Sequence, residues 1–187
     1  MDAPYDPAPA SAPGGGSPAT ATGVMTSARL TIAGPDAMQD LGRRLAKMLR
    51  PGDLVLLSGP LGAGKTTLAR GLGEALGVRG AVTSPTFVIA RVHPSLGDGP
   101  PLVHVDAYRL GGGLDEMEDL DLDVSLPESV VIVEWGDGKV EELSEDRLHL
   151  VIGRAEGDET VENDVREVSV TGVGPRWAAT DLSPLAG

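Results

Sequence analysis

The chain has 187 residues, 41% of them hydrophobic, and 28 acidic against 15 basic side chains give a net charge of −13; this is enough for one domain with a sizeable core and hardly enough for two. With no cysteine and three scattered histidines, a disulfide framework, a disulfide-linked partner, a thiolate nucleophile and a zinc site on sulfur or on histidine alone all fall away. No apolar run approaches the ~18 residues needed to cross a bilayer, and the N-terminus lacks the basic and apolar regions of a signal peptide, so the expectation is a soluble cytoplasmic protein with no membrane partner.

Residues Met1 to Ser27 include 21 Ala, Pro, Gly, Ser or Thr and almost no core-forming side chains. Ordering them would cost entropy without compensating burial, and 1–27 reads as a disordered tail. The domain, 28–173, opens with a short strand pattern from Ala28 to Ile32 and a helix starting near Gly34 and Pro35, since proline suits a first helical turn. Met38, Leu41, Leu45, Met48 and Leu49 recur at helical spacing and mark its buried face, with Arg43, Arg44 and Lys47 on the wetter side. Four short apolar runs follow, Leu54 to Leu57, Leu102 to Val105, Val130 to Val133 and Leu148 to Ile152, each too short for a helix and read as a buried strand. A helical stretch from Lys65 to Leu76 separates the first two. The pattern predicts an α/β, P-loop NTPase-like fold with a mostly parallel sheet and flanking helices. Val168 to Val170 adds a late strand, and the segment 174–187 reads as a frayed end.

The run Leu54 to Leu57 leads into Gly59-Pro60-Leu61-Gly62-Ala63-Gly64-Lys65-Thr66, with a helix starting at the lysine. This is the P-loop pattern in the context it requires. Its glycines let backbone N–H groups turn inward around phosphates, and the helix N-terminus adds the positive end of a dipole. Lys65 supplies charge to the β- and γ-phosphates, Thr66 is placed for Mg²⁺, and Thr67 packs or caps in the first helical turn. A P-loop also needs a carboxylate on a neighbouring strand for the metal or its waters. Asp106 and Glu134 both end apolar runs, at the carboxyl edge of the sheet where ligands bind in open α/β folds. Asp106, the shorter, suits a water-mediated Mg²⁺ contact. Glu134, with longer reach, suits the attacking water, and it is also carried as a metal candidate.

Of five aromatic residues, Tyr5 and Trp177 fall in the expected tails. Phe87, Tyr108 and Trp135 fall in Ser84-Pro85-Thr86-Phe87, Asp106-Ala107-Tyr108-Arg109 and Glu134-Trp135, beside the expected chemistry. Trp135 reads as a wall of the site. Ser84 and Thr86 offer hydroxyls on a loop suited either to sensing a γ-phosphate or to an ordinary proline turn. Charge is uneven along the chain: Asp115 to Asp146 holds 13 acids and only Lys139, whereas Arg29 to Leu110 carries 10 bases and 6 acids. Such a balance disfavours a primary nucleic-acid-binding role. The acidic stretch could meet a basic partner or simply stay solvated.

From about Asp36 to Ile152 the ordered set Leu-Gly-Ala-Gly-Lys-Thr-Thr, Ser-Pro-Thr-Phe, Asp-x-Tyr-Arg-Leu and Glu-Trp resembles the TsaE family, the small ATPases of bacterial tRNA threonylcarbamoyladenosine synthesis. The resemblance implies that Lys65 and Thr66 bind ATP and Mg²⁺, that Asp106 is the metal-side acid, that Ser84 to Phe87 is switch-like, and that Glu134 and Trp135 carry functional weight. It further implies the partners TsaB and TsaD, which perform the transfer to the tRNA, so that tRNA is met only through the complex. Pro60 stands where the family commonly has an acidic residue, and it removes one backbone N–H from the loop. Two other readings of the residues remain open: a small-molecule P-loop kinase, although no basic cluster suggesting a lid follows Leu110, and a nucleotide-gated adaptor.

Overall fold

The computed structural model describes residues 25–83, 90–109, 120–138, 140–141, 143–154 and 164–187. Strands β2 (Leu54–Ser58), β4 (Leu102–Asp106) and β5 (Val130–Glu134) are buried at every position, which is why each reads as a short and largely apolar run: both of their faces are covered. With β1 (Met25–Ala33), β3 (Ala90–His93), β6 (Arg147–Arg154) and β7 (Val165–Val173) they form one seven-stranded sheet in the order β1-β7-β6-β2-β5-β4-β3. The pairs β6–β2, β2–β5 and β5–β4 are parallel, as expected for the α/β class. The flanking pairs β1–β7, β7–β6 and β4–β3 are antiparallel. Arg154 and Val165, like His93 and Leu102, stand too close in sequence for the dozen or more residues of a parallel crossover.

Helices α1 (Pro35–Ala46) and α2 (Lys65–Leu76) cover one face of the sheet. They cross nearly backbone to backbone. A Cβ on Gly42 would lie 2.1 Å from the Leu68 carbonyl oxygen, and one on Gly71 would lie 1.9 Å from that of Gln39. Met38, Leu41 and Leu45 point into the core as the periodicity predicts. On the wetter side Arg43 pairs with Asp40 and with Glu74 of α2. The opposite face buries Leu54, Leu56, Val103, Val105, Val131 and Val133 beneath Leu122, Leu126 and Val140. No helix among the described residues is long and apolar enough to cross a membrane.

Two expectations need correcting at the chain ends. Strand β1 begins at Met25, inside the segment read as tail; residues 1–24 lie outside those described. The end expected to fray from Gly174 is instead part of the core: Trp177 and Leu185 are fully buried and Leu182 nearly so. Arg176 holds it, donating through Nε and Nη2 to the two carboxylate oxygens of Asp53, 3.1 Å each, and through Nη2 to the Met48 carbonyl at 2.9 Å. A Cβ at Gly172 would lie 2.6 Å from the Trp177 Cβ, so the glycine lets that side chain pack against β7, and the Arg176 guanidinium lies 4.2 Å from the indole ring centroid.

Candidate functional site

Strand β2 ends at Ser58 and α2 begins at Lys65; the six residues between them turn the chain at the carboxyl edge of the sheet. A Cβ on Gly59 would lie 2.4 Å from the Ile152 carbonyl oxygen of β6, so the loop leaves the sheet through a gap only glycine fills. Gly64 precedes α2 with φ 112° and brings no side-chain acceptor to cap the first amides of the helix, the groups that can meet an anion. Leu61 stands at the tip, 89% exposed.

Because β2 and β4 both pair with β5, the acids that end β4 and β5 come out side by side: Asp106 is in register with Glu134, and Glu134 with Leu57. Both are buried. The Thr66 hydroxyl donates to Glu134 Oε1 at 3.1 Å, and Glu134 Oε1 also takes His104 Nε2 at 2.9 Å. Asp106 Oδ1 instead accepts the Tyr108 backbone N–H at 3.1 Å. The acid that touches the P-loop threonine is therefore Glu134, on the strand next to β2, and not Asp106, one strand further out.

Lys65 is buried, its Nζ donating to the carbonyls of Gly59 at 2.8 Å and Pro60 at 3.0 Å. It also lies 4.1 Å from the centroid of the Trp135 indole. Burial pushes its ammonium below the ordinary value, with Glu134 and Asp106 pulling the other way. Trp135 has φ 62°, a left-handed conformation rare for a large side chain, and its ring packs against the exposed Tyr108 with centroids 5.2 Å apart. Its loop is fastened from below: Ser58 donates to Asp137, and His149 Nε2 reaches Ser58 Oγ at 2.8 Å and Asp137 Oδ1 at 3.2 Å.

Together Leu61, Gly62, Gly64, Lys65, Thr66, Thr67, Asp106, Tyr108, Glu134 and Trp135 line a cleft of about 420 Å³. Gly59 does not line it but spaces the loop from β6, and the buried Ala63 faces a smaller neighbouring depression of about 90 Å³. Ser84, Thr86 and Phe87 lie outside the described residues. The reading from sequence did not include His104 or the Ser58–Asp137–His149 fastening. A histidine inside an apolar strand run is a visible signal, but its partner is 30 residues away and only strand pairing brings the two together.

A strand that runs through a glycine loop into a helix N-terminus, beside parallel strands ending in carboxylates, places the molecule among P-loop-type α/β proteins. Comparison with known proteins narrows the class. The profile of the family described as "Threonylcarbamoyl adenosine biosynthesis protein TsaE" matches residues 32–163. The chain is 78% identical over 150 residues to the tRNA threonylcarbamoyladenosine biosynthesis protein TsaE of Streptomyces coelicolor, covering 80% of this chain and all of that one. It is 41% identical over 145 residues to the protein of the same description from Bacillus subtilis, covering 76% and 84% of the two chains. The crystal structure of Bacillus subtilis YdiB superposes with a TM-score of 0.62 at 34% identity, covering 82% of this chain and 90% of that one. The chain belongs to the TsaE family.

Proposed function

We propose that this protein is an Mg²⁺-dependent ATPase that supports threonylcarbamoyladenosine formation on tRNA, acting with TsaB and TsaD and touching tRNA only through them. The observation that carries the reading is the hydrogen bond from Thr66 to Glu134 at the head of a P-loop helix, in a chain of the TsaE family. A P-loop threonine shares its hydroxyl between a bound metal and a strand-end carboxylate. The charge of the cleft fits a metal–phosphate ligand. Its described lining offers one ammonium, Lys65, and two carboxylates, Asp106 and Glu134. A bare polyphosphate would meet net negative charge there, and Mg²⁺, bound through a few protein groups and the phosphates themselves, supplies the missing positive charge.

On this reading Lys65 exchanges the Gly59 and Pro60 carbonyls for phosphate oxygens, and the loop amides and α2 N-terminus hold the chain of phosphates. Thr66, Glu134 and Asp106 would hold the metal, with Glu134 first because Thr66 touches it. A carboxylate of this cleft orients the attacking water and accepts its proton as the bond to the γ-phosphorus forms and the β–γ bridging bond breaks. Trp135 and Tyr108 pack together to form one wall of the cleft. Lys65 is the cation that the described lining supplies, and fixed charge delivered in trans is worth ~10³-fold or more in other P-loop proteins. Hydrolysis by the isolated chain is therefore expected to be slow and to rise when TsaB and TsaD are added. The test is threonylcarbamoyladenosine formation on tRNA with TsaB and TsaD, with and without this chain, alongside phosphate release. Modification that does not need the chain, or fast partner-independent hydrolysis on the order of 10 s⁻¹, contradicts the proposal.

A further inference from the structure

Between β4 and the site lies a side chain that the reading above leaves unused. His104, in the middle of β4, is fully buried. Its Nε2 is 2.9 Å from Glu134 Oε1, the oxygen that also receives the Thr66 hydroxyl at 3.1 Å. Its other ring nitrogen, Nδ1, is buried and has no hydrogen-bond partner among the described residues.

The two nitrogens together fix what the ring does. A carboxylate oxygen can only accept, so Nε2 carries the hydrogen and donates it. Among the described residues nothing stands to receive a hydrogen from Nδ1. The ring is therefore a one-ended donor.

A long carboxylate at a strand end has rotamers to choose from, and two donors converging on one oxygen select one of them. The strand geometry makes the clamp stiff. His104 pairs in register with Ile132, two residues before Glu134, so the imidazole approaches from a neighbouring backbone fixed by the β4–β5 ladder. Partners of this kind set the orientation of a metal-side ligand and are commonly worth 10–100-fold in metal affinity.

We infer that His104 is a positioning residue: its Nε2–H holds the Glu134 carboxylate against Thr66 and so sets the affinity of the site for Mg²⁺ with nucleotide. The inference rests on the functional reading above, since it concerns the carboxylate assigned there to the metal side.

The experiment uses the full chain and measures ATP binding by calorimetry across an Mg²⁺ titration, with thermal melting as a check on folding. Three substitutions divide donation from shape. Glutamine carries an amide N–H at roughly the reach of Nε2, asparagine stops near the place of Nδ1, and leucine fills the space with no donor. The expected result is that His104→Leu and His104→Asn raise the Mg²⁺ concentration needed for half-saturation on the order of 10–100-fold. His104→Gln should recover most of the loss, and binding of ATP without Mg²⁺ should be the same in all. Should His104→Leu fail to fold, the asparagine and glutamine pair decides alone. If glutamine is as impaired as asparagine, or if asparagine and leucine match the wild type, donation to Glu134 is not what the ring supplies and the inference falls. A wild-type chain whose ATP binding ignores Mg²⁺ overturns the functional reading itself, and that outcome is seen before any His104 variant is made.

Discussion

Replacing Arg176 by methionine keeps the aliphatic stem and removes the guanidinium that joins the last turns of the chain to the start of β2. Asp53 is 3% exposed and holds three donors, two from Arg176 and the Arg50 backbone N–H at 2.9 Å. Arg176→Met leaves that buried carboxylate with the Arg50 N–H alone. Breaking a buried pair by removing one partner costs about 3–5 kcal/mol. The Arg176 side chain keeps 14% of its exposure, so water can partly replace it and the lower end, ~3 kcal/mol, is the expectation. For a domain of this size each kcal/mol moves the melting midpoint by ~2–4 °C, giving a fall of ~6–12 °C. The assay is thermal and urea unfolding of the single variant and of Arg176→Met combined with Asp53→Leu, which removes the stranded charge and should regain much of the loss. ATP binding measured well below the transition should not change, because Asp53 lies at the opposite end of β2 from Gly59. A loss under ~1 kcal/mol, the value of an exposed ion pair, would refute the account of a docked C-terminus. So would a deletion of 174–187 that leaves the midpoint in place, given that it removes the buried Trp177 and Leu185.

Gly42→Ala or Gly71→Ala should each cost about 1–3 kcal/mol by forcing α1 and α2 apart, read from urea midpoints; a neutral result would mean the helices can separate freely. Burial holds the His93 imidazole below its ordinary pKa of 6.5, with the Arg79 carbonyl opposing and the Arg91 guanidinium reinforcing the shift. The unfolded chain therefore binds its proton first as the pH falls, so this contribution to stability is complete above about pH 6.5 and is lost in acid below it. His93→Leu should flatten that acid limb of the midpoint against pH, and an unchanged limb would assign it to other groups. Glu134→Gln keeps an oxygen for Thr66 and His104 but removes the charge. It should weaken Mg²⁺-dependent ATP binding by about tenfold or more, and Asp106→Asn should weaken it less; the reverse order would return the metal-side role to Asp106.

What could be read from the sequence was whatever a local pattern fixes. The helix from Lys65 to Leu76 appears with the bounds its pattern suggests, because a glycine in the left-handed region precedes it and another ends it. The runs ending in Asp106 and Glu134 are strands because burial on both faces leaves them apolar up to the terminal acid, His104 excepted. Strand β3 has no signature in the sequence: Ala90-Arg91-Val92-His93 is a four-residue edge with mostly solvated side chains, and nothing in its composition separates it from a loop. The C-terminal segment was misread because Trp177, Leu182 and Leu185 follow no single period among prolines and alanines, and their burial depends on a distant partner, Asp53. In the site, Lys65 and Thr66 were legible from spacing. The choice of Glu134 over Asp106 as the contact of Thr66 was not, since it follows from strand order in the sheet, with β5 beside β2 and β4 beyond it. His104 and the Ser58–Asp137–His149 contacts escaped for the same reason.

Whether the loop from Gly59 to Thr66 holds ATP with Mg²⁺ is decided by calorimetric titration of ATP into the wild type and into Lys65→Ala, with Mg²⁺ and with a chelator. The wild type should bind with Mg²⁺ and more weakly with the chelator. Lys65→Ala should lose affinity on the order of 10-fold or more, the value of a charge-assisted hydrogen bond left unmade. Equal affinity in the two proteins, or no binding by the wild type with Mg²⁺ present, would contradict binding at this loop.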